Sequence, residues 1–251
     1  MAGNAARVLI TGASSGVGAA LSARMGRRGA ALALLGRDKV RLQGVASQAL
    51  DLGATKAAIV PVDLGLTAGP AEAWGASVRE LGAPPLTVIC CHGIGRHGPT
   101  EAVSLQDYDE SFAVNVRSIF ALLQSAVPHM RTAGAGHFVV VSSVLGRACS
   151  SDRVLYCGAK HAIEGIVGAA RHDLKGSGVK CSTVCPAAVD TPWWDKAMYP
   201  DGKIRSKPAA KHLLSADDVV DAIVELLDQD EESNIRTVVL RKGKEVERIL
   251  N

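Results

Sequence analysis

Blocks of one charge, long apolar runs and metal-ligand spacings are all missing from this chain, and each absence removes a class of function. The formal net charge is +3 over 251 residues, with 28 basic against 25 acidic side chains. The basic residues are scattered rather than clustered, so no nucleic-acid partner is expected. No apolar stretch reaches the roughly 20 residues that span a bilayer. The first residues, Met1 to Arg7, lack a charged lead followed by an apolar core and a cleavage site. No membrane partner is therefore expected, and the expected location is cytoplasmic. The six cysteines (90, 91, 149, 157, 181 and 185) include an adjacent pair but no Cys-x-x-Cys, so neither disulfides nor a metal are expected and most should be small buried hydrophobes. Rings are scarce as well, at 4% of residues against 47% hydrophobic, which suits an α/β domain with a large core. No Pro/Ser-rich linker or charge run divides the sequence, so residues 1–251 are read as one domain.

What is present concentrates between Ser142 and Lys160. The apolar run His137–Val141 reads as a buried strand, Ser142 and Ser143 follow it, and the stretch closes in a helical pattern containing Tyr156 and Lys160. Four positions apart on a helix, those two side chains share a face. An ammonium near a phenol favours phenolate and lowers a pKa that starts near ~10. Ser143 could hydrogen-bond a carbonyl or alcohol oxygen while Tyr156 handles its proton. Taken alone, such a pair is more often a core aromatic beside a solvated charge. The amino terminus changes the balance. There the short strand Arg7–Ile10 runs into Thr11-Gly12-Ala13-Ser14-Ser15-Gly16-Val17-Gly18 and then a helical pattern with Ala19, Leu21 and Met25. A glycine-rich turn between strand and helix lets backbone N–H groups approach a pyrophosphate at the positive end of the helix.

Thr-Gly-x-x-x-Gly-x-Gly at 11–18, a serine 13 residues before the tyrosine, and Tyr-x-x-x-Lys at 156–160 together resemble the short-chain dehydrogenase/reductase family in its single-domain form. The resemblance implies a three-layer doubly wound parallel sheet (Rossmann fold) of about seven strands with helices on both faces. It implies a catalytic set of Asn115, Ser143, Tyr156 and Lys160. Cofactor contacts are implied from Gly12, Ser14, Ser15, Gly16, Val17, Gly18, Arg37, Asp63, Leu64, Gly93, Tyr156, Lys160, Pro186, Val189 and Thr191. Substrate contacts are expected from Ser143, Tyr156, Trp193, Trp194 and Met198. In relatives the helices bearing Asn115 and Tyr156 form subunit contacts, which implies a homodimer or homotetramer; the Asp-Gly-Gly ending common in tetrameric relatives is lacking.

Several positions carry two readings. Ala30–Leu35 reads as the second strand, followed by Gly36-Arg37-Asp38. An arginine there pairs with a ribose 2′-phosphate and a carboxylate with a free 2′-hydroxyl, and in the family glycine followed by arginine implies NADP(H) rather than NAD(H). Asp38 is either that carboxylate or the cap of a helix running to Leu52. Ile59–Val62 reads as the third strand, and Asp63 after it is either an adenine contact, as in the family, or a helix N-cap. Leu86–Cys91, the fourth, leads into Cys90-Cys91-His92-Gly93, where relatives usually show Asn-Asn-Ala-Gly. Gly93 still permits close backbone approach, and His92 is either a titrating ring near the nicotinamide or a packing residue. A helix from Gln106 to Arg131 holds Asn115, whose family counterpart holds a water behind the lysine. After the strand Val179–Cys185, Ala187 replaces a usual glycine. The stretch Thr191–Pro208, with Trp193, Trp194, Met198 and Tyr199, reads as an apolar substrate lid at about 191–208 or as a short helix packing on the core. A helix Asp217–Leu227 capped by Ser215 and a last strand Thr237–Leu240 close the chain.

The expected function is NADP(H)-dependent interconversion of a ketone and a secondary alcohol. Two alternatives stand beside it: a regulatory protein sensing the NADP(H) ratio, and a non-redox enzyme using a held nicotinamide transiently.

Overall fold

Short aliphatic runs bounded by glycine, proline and cap residues pair into one parallel sheet in the computed structural model, which describes residues 5–196, 207–230 and 233–243. The strands are β1 (Arg7–Thr11), β2 (Ala31–Gly36), β3 (Lys56–Pro61), β4 (Thr87–Cys90), β5 (Gly136–Val141), β6 (Val179–Pro186) and β7 (Thr237–Leu240). Their order is β3-β2-β1-β4-β5-β6-β7, and every pairing is parallel. The chain winds outward from β1 to β3, then returns beside β1 as β4 and winds the other way. The order therefore reverses between β1 and β4, where open α/β sheets bind ligands beyond the carboxyl ends of their strands.

Both faces of the sheet are covered, as parallel sheets require. Successive side chains alternate: Leu9, Val88 and Phe138 point into one apolar cluster with Ile119, Leu122 and Ile163, while Val8, Ile10, Ile89 and Val139 point into the other with Leu21, Leu42 and Ile223. The helices supplying those partners are α1 (Gly16–Arg27), α2 (Lys39–Asp51), α3 (Gly69–Leu81), α4 (Leu105–Phe112), α5 (Ser118–Ala133), α6 (Val154–Asp173) and α7 (Ala216–Leu227).

The helix expected over 106–131 differs in one respect. Between α4 and α5 the backbone widens into a π-helical segment, Ala113–Arg117, so that the Ser118 N–H donates five residues back to the Ala113 carbonyl. Such single-turn bulges are rare and turn up mostly at functional sites. The segment surrounds Asn115. In the stretch expected to be a lid, the described part forms a short 3-10 turn at Trp194–Lys196; Met198 and Tyr199 lie outside the described residues.

Candidate active site

The glycine turn closes tightly because its glycines leave no alternative. A Cβ on Gly18 would lie 2.3 Å from the Gly12 carbonyl oxygen, so α1 can start directly beneath the turn only with glycine there. Ser15 occupies the cap position of α1 without a side-chain cap hydrogen bond, which leaves the first N–H groups aimed at whatever fills the turn. Val17 packs against the neighbouring core cluster, and Ser14 lies beside Gly36 at the end of β2. Gly16 meets Thr191 at 3.1 Å from a built Cβ, bringing two expected cofactor residues together from opposite ends of the chain. Pro186 closes β6, and Val189 accepts a 2.8 Å hydrogen bond at its carbonyl from Trp194 Nε1.

Arg37 and Asp63 stand apart, just beyond β2 and β3. Arg37 is exposed. Asp38 caps α2, accepting from the Arg41 N–H at 3.0 Å and pairing with Arg41 Nε at 3.2 Å. Asp63 is not a helix cap: α3 starts only at Gly69 with Ala68 at its cap position, and the Asp63 carboxylate instead accepts from the Gly65 N–H at 2.9 Å, a local Asx turn. The Leu64 side chain is buried in the core.

The remaining expected residues form one cluster at the carboxyl ends of β4 and β5. Tyr156 sits in the first turn of α6, where Ser143 is close enough to favour the charged form of its phenol; the Ser143 oxygen accepts from the Leu145 N–H at 3.1 Å. Lys160, 3% exposed, donates to the Val141 carbonyl at 3.1 Å and places Nζ 5.7 Å from the Tyr156 ring centroid. Asn115 is fully buried. Its Oδ1 accepts from the Ile94 N–H at 3.0 Å, and its Nδ2 donates to the Ile94 carbonyl, also at 3.0 Å. The Gly93 backbone lies between these groups, since a Cβ there would fall 2.9 Å from Asn115 Oδ1 and 3.8 Å from Lys160 Nζ.

The electrostatics depart from the expectation of a lysine-lowered phenol. Burial pushes the Tyr156 phenol up to about 12, with the Ser143 hydrogen bond and the Arg153 charge pulling the other way. Burial also pushes Lys160 down to about 8, opposed by Cys185, Glu164 and the adjacent thiols of Cys90 and Cys91. Desolvation is the largest cause at both groups, and the charge that lowers the phenol is that of Arg153 rather than Lys160.

Both readings of His92 meet a clear geometry. Its Nδ1 lies 2.6 Å from Thr11 Oγ1 and its Nε2 lies 2.7 Å from Ser118 Oγ. Ser118 Oγ donates to the Val114 carbonyl at 2.6 Å, so it accepts from Nε2–H, and Thr11 donates to Nδ1. Burial pushes the ring down to about 4, and it stays neutral. His92 is a brace between β1 and α5. His97 was not singled out in the sequence, yet its ring, 1% exposed, packs against Tyr156 and Trp193. The one available signal was position, a few residues past the carboxyl end of β4 beside the order reversal.

A doubly wound parallel sheet with a glycine turn at its order reversal defines a Rossmann-fold nucleotide-binding protein. Within that class the family is specific. The model described as short chain dehydrogenase matches residues 6–199, and the chain belongs to that family of oxidoreductases. It is 30% identical to a (3R)-3-hydroxyacyl-CoA dehydrogenase of Mus musculus over 240 residues, 90% of each chain. It is also 30% identical to a 2-(R)-hydroxypropyl-CoM dehydrogenase of Xanthobacter autotrophicus over 231 residues, covering 88% of this chain and 91% of that one. A short-chain dehydrogenase from Sphingobium yanoikuyae, solved in complex with NADPH, superposes with a TM-score of 0.81 at 28% identity over 93% of this chain and 87% of that chain.

Proposed function

We propose that the protein interconverts a ketone and a secondary alcohol with NADP(H), acting as a ketoreductase on a partly apolar substrate. The observation that carries this reading is Ser143 acting on the Tyr156 phenol, favouring its charged form, beside a buried lysine one helical turn away. A nicotinamide dinucleotide fits the residues present: the first turn of α1 has no side-chain cap over its N–H groups, and Gly16 and Gly93 lie so close to Thr191 and Asn115 that only glycine leaves the backbone bare there. When bound, the cofactor supplies or accepts the hydride at the carbonyl carbon. Tyr156 gives its proton to the carbonyl oxygen during reduction and takes it back during oxidation. Its pKa of about 12 keeps that proton in place until it is needed. Ser143 orients the reacting oxygen. Lys160, anchored on the Val141 carbonyl, stabilises the phenolate left behind and would hold the ribose of a bound cofactor. Asn115 holds the Ile94 backbone from both sides and so fixes the wall behind the lysine.

NADP(H) is favoured over NAD(H) because residue 36 is glycine, Asp38 is engaged as a cap, and Arg37 is exposed to meet a 2′-phosphate. The related solved chain with NADPH agrees with this preference. The two dehydrogenases named above both have names describing secondary alcohols. The proposal includes a homodimer or homotetramer: a surface groove lined by Phe112, Val116, Phe120 and Ile166 beside Asp109, Glu110 and Arg117, with Phe120 48% exposed, presents apolar area across α4, the π-helical turn, α5 and α6 that a second copy would cover.

The test is NADPH consumption with a panel of ketones. Tyr156→Phe is expected to lower turnover by roughly 10²–10⁴-fold while cofactor affinity is retained; near-normal turnover would remove Tyr156 from the chemistry.

A further inference from the structure

The segment leaving β4 carries His97 into the small volume occupied by the catalytic phenol. Its imidazole stands edge-on to Tyr156, with ring centroids 5.7 Å apart and planes at 71°. It meets the Trp193 indole in the same way, at 5.7 Å and 61°. The third side of the triangle, Tyr156 to Trp193, measures 5.6 Å. Aromatic rings at those separations are in contact, so no alkyl chain or ring passes between them.

The triangle is held from outside. Trp194 packs edge-on against Trp193 at 5.1 Å and 89°, and its own Nε1–H is tied to the Val189 carbonyl. Behind His97 and Trp193 runs the Gly95 backbone: a Cβ there would come within 2.6 Å of His97 Nε2 and 2.8 Å of the Trp193 ring. Residue 95 is thus glycine where both rings press on the main chain. Just past His97, the Gly98 N–H donates to the Asp152 carbonyl at 2.9 Å, and Gly98 bridges Arg153, three residues before Tyr156. His97 and the phenol hang from one hydrogen-bonded frame.

We infer that His97 and Trp193 form the wall that sets substrate size, admitting only a methyl-sized substituent on the side of the carbonyl facing them. The substrate class is then ketones, and the corresponding secondary alcohols, with one small group and one larger partly apolar group directed away from the wall. The inference rests on the reading of Tyr156 as the proton donor. His97 acts here as a neutral ring, because burial and the charges of Arg153 and Arg96 push it down to about 3. It is a positioning residue whose volume, rather than its proton, matters.

The experiment compares kcat/KM for acetophenone and butyrophenone, with NADPH, in the native protein and in His97→Ala, His97→Phe and Trp193→Ala. The native protein is expected to prefer acetophenone. His97→Ala and Trp193→Ala should each raise the butyrophenone-to-acetophenone ratio about tenfold or more, the scale of discrimination a few methylenes supply. His97→Phe, which restores the ring, should keep the native ratio and the native pH profile. In the Tyr156→Phe background the affinities of the two ketones, read by quenching of tryptophan fluorescence, should shift in the same direction. An equal fall for both ketones, with the ratio unmoved, overturns the inference, as does His97→Phe behaving like His97→Ala. Should His97→Ala not fold, Trp193→Ala decides the matter, since Trp193 is only half-buried. Retained turnover in Tyr156→Phe would sink the proton-donor reading separately, whatever the ratio does.

Discussion

On the proposed reading cofactor choice turns on Arg37, because the groups around it are already committed. Asp38 is held by the first turn of α2 and by Arg41, and Gly36 offers no side chain. A 2′-phosphate placed there meets one guanidinium, and a charge-assisted contact of this kind contributes about 1.5–3 kcal/mol. Arg37→Ala should therefore raise KM for NADPH by roughly tenfold or more and leave KM for NADH nearly unchanged, which steady-state kinetics with both cofactors will read. Equal effects on the two would mean that Arg37 does not face the phosphate. The pair at 156 and 160 shows a different balance at the same scale. Spacing puts the ammonium near the phenol, but burial raises one pKa and lowers the other, so on the proposed mechanism the lysine's benefit comes only as negative charge develops on the tyrosine oxygen.

At the scale of elements, helix starts are written locally and helix interiors are not. Ser215 accepts from the Asp218 N–H at 3.0 Å and Asp218 returns the bond to the Ser215 N–H at 2.7 Å, a complete capping box for α7. Ser215→Ala should lower stability by about 1 kcal/mol, and Ser215→Asp should recover most of it; urea unfolding measures both. Such caps, the glycine turn and the Ser143, Tyr156, Lys160 spacing were legible because all their parts lie within a few turns of chain. Two elements were not. The segment from Gly69 opens on Gly-Pro, which reads as a loop, and the buried face of α3 includes the small residues Ala73 and Ser77 beside Trp74, giving little periodic contrast. The π-helical turn is invisible because the apolar residues Phe112, Val116, Ile119, Phe120 and Leu123 continue across it, and one extra residue in a turn leaves no compositional mark. His92 and His97 were opaque for a related reason. The partners of His92 lie 81 and 26 positions away, and those of His97 come from α6 and from the segment after β6, so only the folded sheet brings them together.

Across the whole molecule three histidines share one response to acid, because burial lowers the pKa of each. His92 and His137 are each pushed down to about 4, and His97 to about 3, in every case chiefly by burial. The nearby cations add to the effect: Lys160 beside His92, Lys180 beside His137, Arg153 and Arg96 beside His97. In the unfolded chain all three titrate near the ordinary value of 6.5. Between about 6.5 and 4 the unfolded state therefore binds more protons than the folded one, and stability falls as pH falls, by about 1.4 kcal/mol per pH unit for each histidine at full effect. Lys160, lowered from 10.5 to about 8, acts in a separate window: there the unfolded chain again holds the extra proton, so its own contribution to stability rises as pH climbs from 8 to 10.5, opposed above about 9 by the thiols of Cys90, Cys91, Cys181 and Cys185, which burial pushes up. The two apolar clusters lie on opposite faces of one sheet, and we propose that they are lost together, so a single unfolding transition should report the sum. Urea midpoints followed by tryptophan fluorescence should drop steeply from pH 6.5 to 4.5. His92→Asn, which can keep the bond to Thr11 but is too short to reach Ser118 and cannot protonate, should start from a lower midpoint and lose about a third of that slope. A midpoint that stays flat down to pH 5 would mean that the three rings gain protons within the native fold, and the brace between β1 and α5 would then have to tolerate a charge that its two hydroxyl partners could accept on only one side.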